Sequence, residues 1–361
     1  MKLFIAATLT LAPLSALMGQ SPQPLRVVPW PGAEGVDWVS AGAMAVSRAG
    51  IVAVAEGADW QVVLFPVGGR APTRIGRKGE GPGEFESIGR IGWHADSLWV
   101  RNQRKLSLFS PSGQFIRDIP IPSPQLALPG REPERPLAGD VLALGAGDQM
   151  LQLVTTRAQA IVVGTIGPSG LLNRAAMTIE PPKCPGQDVP GAIRMPFCTK
   201  PLVSASANGR WIASVVLASR AAGRVAMNVT VTDEAGTVRW AQKLDFAEVP
   251  ISREFADSIR GVIAGYRGTP PDLAAKIRAA EMSTFFPPVT DVLVGPDGEL
   301  WLRVRTAPNG FVWQRHDGTG RMIGRASASP RLELQAVAGI TAWGVMRDAD
   351  DVPQVVRAVW P

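Results

Sequence analysis

Side chains that usually carry catalysis or bind metal ions are scarce in this sequence. The 361 residues include two histidines, His94 and His316, and each lies beside a predicted turn. A zinc site takes three or four His, Cys or carboxylate ligands. The two histidines are therefore predicted to be exposed residues at turns or strand ends, and zinc-dependent catalysis is not expected.

No motif for a serine nucleophile or a phosphate-binding loop is present in the sequence. The glycine-rich segment from Gly79 to Gly83 differs from a phosphate cradle, because Pro82 lacks an N–H donor and Glu80 repels anions. The segment instead predicts a turn that redirects the chain between two strand-rich units.

The scarcity of histidine does not exclude calcium as a cofactor, because proteins bind Ca²⁺ through oxygen atoms such as those of carboxylates. Asp291 lies at the start of a predicted strand, and Glu84 and Glu86 lie just before another. The sequence assigns no further ligand, and Asp291 has an alternative role as the ion-pair partner of Arg90. We predict that the protein has no cofactor, with a calcium site as the alternative.

Composition and charge predict a folded protein that does not bind nucleic acid. Hydrophobic residues make up 46% of the chain, which is enough for a sizeable core, and the formal net charge is +6. Lys and Arg are spread along the chain, without a block of five or six like charges. The surplus of positive charge therefore indicates a basic soluble surface.

The N-terminal residues have the pattern of a secretory signal peptide. Lys2 precedes a nearly uncharged apolar stretch, 3–18, that is short for a membrane span. Cleavage is expected near Gln20. The sequence therefore predicts a signal peptide at 1–20, one mature domain at 21–361 without a membrane span, and a periplasmic or secreted protein.

The two cysteines, Cys184 and Cys198, lie in a loop that is rich in Pro and Gly. In an oxidising exported compartment, an isolated pair of this kind predicts one disulfide. Closing a loop of this size contributes on the order of 3 kcal/mol in the chain-entropy picture. A metal site would need two more ligands, and no histidine lies nearby, so the disulfide is favoured.

Pairs of apolar strands separated by tight turns recur along the chain. Asn208-Gly209 and Asp297-Gly298, for example, supply the positive φ angles that hairpin turns require. Two hairpins in tandem give a four-stranded antiparallel unit, which is the content of one β-propeller blade. Six units are predicted, with five or seven as the alternatives, at residues 41–78, 87–121, 138–180, 200–246, 287–327 and 332–360.

These units predict an all-β fold, a six-bladed β-propeller of four-stranded antiparallel blades. The last unit is one strand short, and the early strand 25–28 is free to complete it. Joining the two ends of the chain in one blade would close the ring and leave no exposed sheet edge.

One stretch, 252–282, has helical rather than strand periodicity. Ser252 is a natural N-cap, and Phe255, Ile259 and Val262 follow it at helical spacing, with a second helix predicted to begin near Pro270. We expect a helical hairpin packed on one face of the ring. The alternative is a lid or a partner-docking element over the mouth of the channel.

The segment 79–115 resembles an NHL-type repeat, in which a Gly-x-Gly-Pro-Gly-Glu-Phe turn leads into the next blade. Asn102 stands where these repeats usually carry Asp, and Lys105 stands where they carry Arg. The segments 296–302 and 313–318 together give a second, looser match. The whole chain is similar to the exported six-bladed propeller proteins of bacteria. The resemblance implies the fold but not the function, because propellers host many unrelated activities.

Two classes of function follow from this fold. The favoured one is a non-enzymatic module that recognises a protein or glycan through a face of the ring. The alternative is a calcium-dependent hydrolase or lyase that acts at the central channel, as resemblance to lactonase-like propellers implies. An anionic ligand would be bound by Arg90 and Lys200, which precede predicted inner strands, with Asp291 as the counter-charge.

Overall fold

The computed structural model describes residues 22–33, 36, 38–126, 135–136, 138–180 and 196–361. In this part of the chain, six antiparallel sheets form the blades of a β-propeller, and two α-helices lie between the fourth and fifth blades. The predicted six-bladed, all-β architecture is confirmed, and the alternatives of five and seven blades are wrong.

The strands follow one another in the order of the blades. The first strands among the described residues are β1 (Gln23–Pro24) and β2 (Arg26–Pro29). Blade 1 contains β3 (Ala41–Val46), β4 (Val52–Glu56), β5 (Gln61–Phe65) and β6 (Thr73–Ile75). Blade 2 contains β7 (Ile91–His94), β8 (Ser97–Asn102), β9 (Lys105–Phe109) and β10 (Phe115–Pro120). Blade 3 contains β11 (Ala138–Leu144), β12 (Met150–Thr155), β13 (Ile161–Ile166) and β14 (Leu172–Ile179).

The second half of the ring has longer strands. Blade 4 contains β15 (Leu202–Ala205), β16 (Trp211–Ala221), β17 (Arg224–Asp233) and β18 (Val238–Ala247). Blade 5 contains β19 (Val289–Val294), β20 (Leu300–Ala307), β21 (Gly310–His316) and β22 (Met322–Ser327). Blade 6 contains β23 (Leu332–Ala338), β24 (Thr341–Arg347) and β25 (Pro353–Val359).

The N-terminal strands close the ring. Strand β2 pairs antiparallel with β25, with Arg26 opposite Val359, and so supplies the fourth strand of blade 6. Strand β1 adds in parallel to β22 of blade 5, and the Leu25 amide donates to the Ser327 carbonyl at 2.9 Å. The predicted closure by an early strand is confirmed, one residue later than expected. Strand β2 thereby becomes the outer strand of blade 6, and β1 covers the last two residues of the outer edge of blade 5.

Asp and Gly shape the turns between outer strands. In blade 5, Asp317 Oδ1 accepts from the amides of Thr319 at 2.9 Å and Arg321 at 3.1 Å, and Gly320 has a φ of 88°. A left-handed φ of this size is unfavourable for residues with a Cβ atom. Hydrogen bonds, led by that from the Thr319 hydroxyl, lower the pKa of Asp317 to about 2.

The segment that resembles an NHL turn connects blade 1 to blade 2. Glu84 Oε2 accepts from the Gly81 amide at 2.9 Å, and the Phe85 amide donates to the Arg77 carbonyl at 2.8 Å. Gly76 is required here, because a Cβ atom would lie 2.1 Å from the Phe85 ring. The predicted turn between blades is confirmed.

The hydrophobic core lies between neighbouring blades, where the alternating side chains of each strand face one neighbour or the other. Between blades 4 and 5, Trp211 and Trp240 pack with Val292 and Leu300. Between blades 5 and 6, fully buried Trp301 packs with Leu334. The same arrangement positions all six inner strands around the central channel.

The helical insertion consists of α1 (Arg253–Ala264) and α2 (Pro271–Ala279). Ser252 Oγ accepts from the Phe255 amide at 3.2 Å, which confirms the predicted N-cap. A small cluster that includes Ile251, Ala256, Met282 and Phe286 holds the hairpin to its stems, and Phe285 beside it packs in the core between blades 4 and 5. Neither helix is long or apolar enough to cross a bilayer, a finding limited to the described residues.

Candidate functional site

Six inner strands surround a central channel with a volume of about 1090 Å³. They are β3, β7, β11, β15, β19 and β23, and each is hydrogen-bonded on one side to the second strand of its blade. The other edge of each strand faces the channel. The channel wall therefore presents backbone N–H and C=O groups that no neighbouring strand occupies.

The two ends of the channel differ in what they carry. The entrance face is defined here as the end at which the six inner strands begin, and the exit face as the end at which they turn into the second strands. Because the strands alternate in direction, the β16–β17 turn and the helical insertion after β18 lie on the entrance face. Arg90, Asp140 and Asp291 line the channel near this face.

Asp140 holds two guanidinium groups at the entrance. Arg90 Nε lies 3.5 Å from Asp140 Oδ2, and Arg101 Nη1 contacts Asp140 Oδ1. The trio carries one net positive charge. Among the described residues, neither Nη group of Arg90 forms a hydrogen bond, and Arg90 lines the channel.

Asp291 lies on the opposite wall, because blades 2 and 5 are three positions apart in a ring of six. A β-bulge between Val289 and Asp291 interrupts the pairing with β20, and Asp291 Oδ1 accepts from the Val292 amide at 2.8 Å. Burial raises the pKa of the Asp291 carboxyl, and the charge of Glu333 acts in the same direction. The Val292 amide and the charge of Arg303 oppose this shift.

The structure brings two of the three predicted ligand-binding residues to one channel. Arg90 and Asp291 both line it, whereas Lys200 is an exposed residue before β15 and is absent from the lining. The carboxylate that pairs with Arg90 is Asp140, not Asp291. The sequence analysis missed Asp140, although it is the third residue of its inner strand, the position that Asp291 occupies in blade 5.

The carboxylates considered for calcium do not gather at the channel. Glu84 is bound by the Gly81 amide, which is the main reason that its pKa is lowered, and by Arg77. Lys105, at the other departure from the NHL pattern, pairs with Asp118 at 2.8 Å. Within the described ranges, no group of three or more His, Cys, Asp or Glu side chains could hold a metal ion.

The predicted disulfide stays a prediction. Cys198 lies among the described residues, but Cys184 lies outside them.

His316 differs from its predicted exposure. It is 1% exposed and stacks on Trp240 of the neighbouring blade, with 6.1 Å between ring centroids. Nδ1 donates to the Gly320 carbonyl at 3.0 Å, which leaves the buried Nε2 unprotonated and without a partner among the described residues. Burial lowers the pKa of His316, against the smaller effects of Gly320 and Asp317.

We expect acid to destabilise the protein through His316. Because the folded state disfavours protonation, this contribution to stability is complete above the unfolded-state pKa of about 6.5 and is lost as the pH falls below it. The slope is at most about 1.4 kcal/mol for each pH unit. Urea unfolding at pH 7.5, 6.5 and 5.5 should show a shallower decline in both His316→Phe and His316→Gln. Equal slopes in all three proteins would contradict the assignment.

Helix α1 presents apolar side chains to solvent on the entrance face. Phe255 and Val262 are 43% and 67% exposed, and their spacing of seven residues places them on one side of the helix. Tyr266, which is 76% exposed, follows two residues after the helix ends. These three residues are called the α1 stripe. Phe255 is fixed at its inner end by Phe197 at 5.8 Å and Phe286 at 5.9 Å between ring centroids.

The long β16–β17 hairpin stands beside the helical insertion. Arg220, near its tip, contacts Glu248, donates to Thr284 Oγ1 at 3.1 Å and lies 3.7 Å from the centroid of the Phe285 ring. These contacts connect the hairpin to both stems of the insertion. On the entrance face, the hairpin and the insertion are therefore held together by side-chain contacts, and the insertion exposes the α1 stripe.

Comparison with known proteins found structural similarity at low sequence identity. No protein-family model matches the chain, and no curated protein matches it. Virginiamycin B lyase from Staphylococcus aureus is 11% identical over 93% of this chain and 99% of that chain, with a TM-score of 0.45. A protein from Bacteroides fragilis that is described as a putative exported protein is 9% identical over 93% of this chain and 94% of that chain, with a TM-score of 0.46. The calcium-binding protein regucalcin from Agrobacterium tumefaciens is 11% identical over 94% and 96%, with a TM-score of 0.42.

Proposed function

We propose that this protein is an exported β-propeller that binds a protein partner through its entrance face. The observation that carries the proposal is the α1 stripe, three large side chains left exposed on α1 and just beyond its C-terminal end. Exposed apolar patches with polar surroundings are typical of interaction surfaces, and Tyr is enriched at their centres. Val262 favours a protein over a glycan, because sugars stack on aromatic rings rather than on aliphatic side chains.

Photo-crosslinking in the producing cells tests this function. A p-benzoylphenylalanine residue is placed at Val262 on α1, and, as the matched control, at exposed Thr237 in the exit-face turn between β17 and β18. We expect a protein adduct of defined mass from position 262 and none from position 237. Equal adducts at both positions, or none at either, would overturn the proposal, and a carbohydrate adduct at 262 would favour a glycan partner.

Export and the NHL-like assignment are part of the same proposal. The charged residue followed by the apolar stretch 3–18 supports a signal peptide, and the hydrogen-bonded turn around Glu84 supports NHL-like blades. We expect the mass of the protein from the producing cells to correspond to cleavage near Gln20. A full-length mass in the cytoplasmic fraction would contradict export.

The alternative, a calcium-dependent hydrolase or lyase at the channel, has less support. Asp291 is at the channel, but the described residues supply no ligand group around it. We therefore expect that millimolar Ca²⁺ leaves the thermal midpoint of the chelator-treated protein unchanged. A site at a hundred times its Kd would add about 2.7 kcal/mol. A rise in the midpoint that Mg²⁺ does not reproduce and Asp291→Asn abolishes would restore this alternative.

A further inference from the structure

Opposite charges face each other across the channel near the entrance face. Arg90 belongs to blade 2 and Asp291 to blade 5, and both line the same open volume. They do not form an ion pair with each other. A ligand between them would therefore meet a positive group on one wall and a negative group on the other.

The positive wall is built to receive a carboxylate. Asp140 accepts from Arg101 and lies 3.5 Å from Arg90 Nε, so it orients the Arg90 guanidinium. The two Nη groups of Arg90 form no hydrogen bond with described residues. A guanidinium held in this way offers parallel N–H donors to a carboxylate, an arrangement that favours planar, bidentate recognition. The net positive charge of the trio favours an anion at this position.

The negative wall is built to receive a cation. Asp291 Oδ1 accepts from the Val292 amide, whereas Oδ2 has no hydrogen-bond donor among the described residues. Arg303 is the one cation whose charge acts on the Asp291 carboxyl among the described residues. Its guanidinium lies 4.1 Å from the centroid of the Phe311 ring and forms no ion pair with Asp291. An ammonium group in the channel would supply the donor that Asp291 Oδ2 lacks.

The wall between these two charges suits a peptide. The free edges of the inner strands offer N–H and C=O groups, which pair with the backbone of an extended peptide as they would with another strand. Small residues such as Gly92, Ser204 and Ala336 leave that wall accessible. The volume of about 1090 Å³ slightly exceeds the usual range for small-molecule pockets, which leaves room for a short peptide.

We propose that the entrance of the channel binds a short peptide as a zwitterion, with its C-terminal carboxylate on Arg90 and its N-terminal ammonium on Asp291. The site lies inside the ring and uses none of the α1 stripe. The proposal for the channel therefore does not depend on partner docking on the entrance face. Crosslinking at Val262 tests the docking, whereas calorimetry with Arg90 and Asp291 variants tests the channel.

Calorimetry with capped and uncapped peptides tests the proposal on the mature wild-type protein. The probes are alanine peptides of two to five residues, each in free, N-acetylated and C-amidated form. We expect one length to bind best, and we expect either cap to weaken that peptide by about tenfold or more, because each removes one charge-assisted contact. No binding of any free peptide at millimolar concentration, or equal binding of free and capped peptides, would overturn the proposal.

Variants assign each end of the peptide to one wall. In Asp291→Asn, the free and the acetylated peptide should bind equally, and in Arg90→Gln, the free and the amidated peptide should bind equally. Arg48→Gln is the matched control, because Arg48 lines the channel at the exit face and should leave the affinities unchanged. A cap effect that persists in the corresponding variant would refute the orientation, and the wild-type comparison remains decisive if a variant fails to fold.

Discussion

Replacing Trp301 with alanine is expected to lower the free energy of unfolding by about 3–5 kcal/mol. Trp301 is fully buried between blades 5 and 6, with its ring 6.3 Å from that of Trp313 and 5.0 Å from that of Trp360. Trp360 directly follows the closing strand β25, so the cavity would open at the point where the ring is completed. Urea unfolding followed by circular dichroism measures the loss.

The control for this prediction is Trp301→Phe. Because Trp301 Nε1 has no hydrogen-bond partner among the described residues, phenylalanine removes volume but no hydrogen bond. We expect Trp301→Phe to lose clearly less stability than Trp301→Ala. Equal losses in the two variants would mean that packing at this junction does not determine the stability of the ring.

Replacing Asn102 with alanine is expected to destabilise the protein by about 2–4 kcal/mol. Asn102 is fully buried, accepts from the amides of Glu86 at 3.0 Å and Ser87 at 3.3 Å, and donates to the Glu84 carbonyl at 3.0 Å. Alanine would leave these backbone groups without their partner, and buried polar groups without partners are unfavourable. The turn between blades 1 and 2 should loosen, which hydrogen exchange at these amides would detect.

Asn102→Asp separates the acceptor role from the donor role. The introduced carboxylate keeps both accepted hydrogen bonds but turns an oxygen atom toward the Glu84 carbonyl, where repulsion replaces a hydrogen bond. We expect a loss at pH 7 that becomes smaller at pH 4.5, because a protonated carboxyl group can donate. A loss that does not change with pH would show that the donated hydrogen bond contributes little.

The architecture could be predicted because its signals are local. Asp-Gly and Asn-Gly turns mark hairpin ends wherever they occur, and Ser252 caps a helix through an amide three residues away. Each of these contacts joins residues that are only a few positions apart in the sequence. The spacing of such residues was therefore enough to predict the blade ranges and the helical insertion. The position of β2 also followed, because the last blade lacked a strand.

The site could be predicted only in part, because its contacts join different blades. Arg90 and Asp140 meet across the junction of blades 2 and 3, and no sequence spacing specifies that geometry. His316 is buried because Trp240 of the preceding blade covers it, so its own neighbours in the sequence gave the wrong exposure. Lys200, like Arg90, lies just before an inner strand in the sequence, but it is not part of the channel lining.

The pairing of β2 with β25 has a consequence for the timing of folding. These strands come from opposite ends of the chain, so their contact has the largest sequence separation in the fold. Such non-local pairing is slow, because loop-closure entropy opposes it until the contact forms. During synthesis β2 must wait for β25, and the early blades stay in an incomplete ring with an open edge. A chain that loses β25 would therefore release β2 as well, whereas β1 would keep its partner β22.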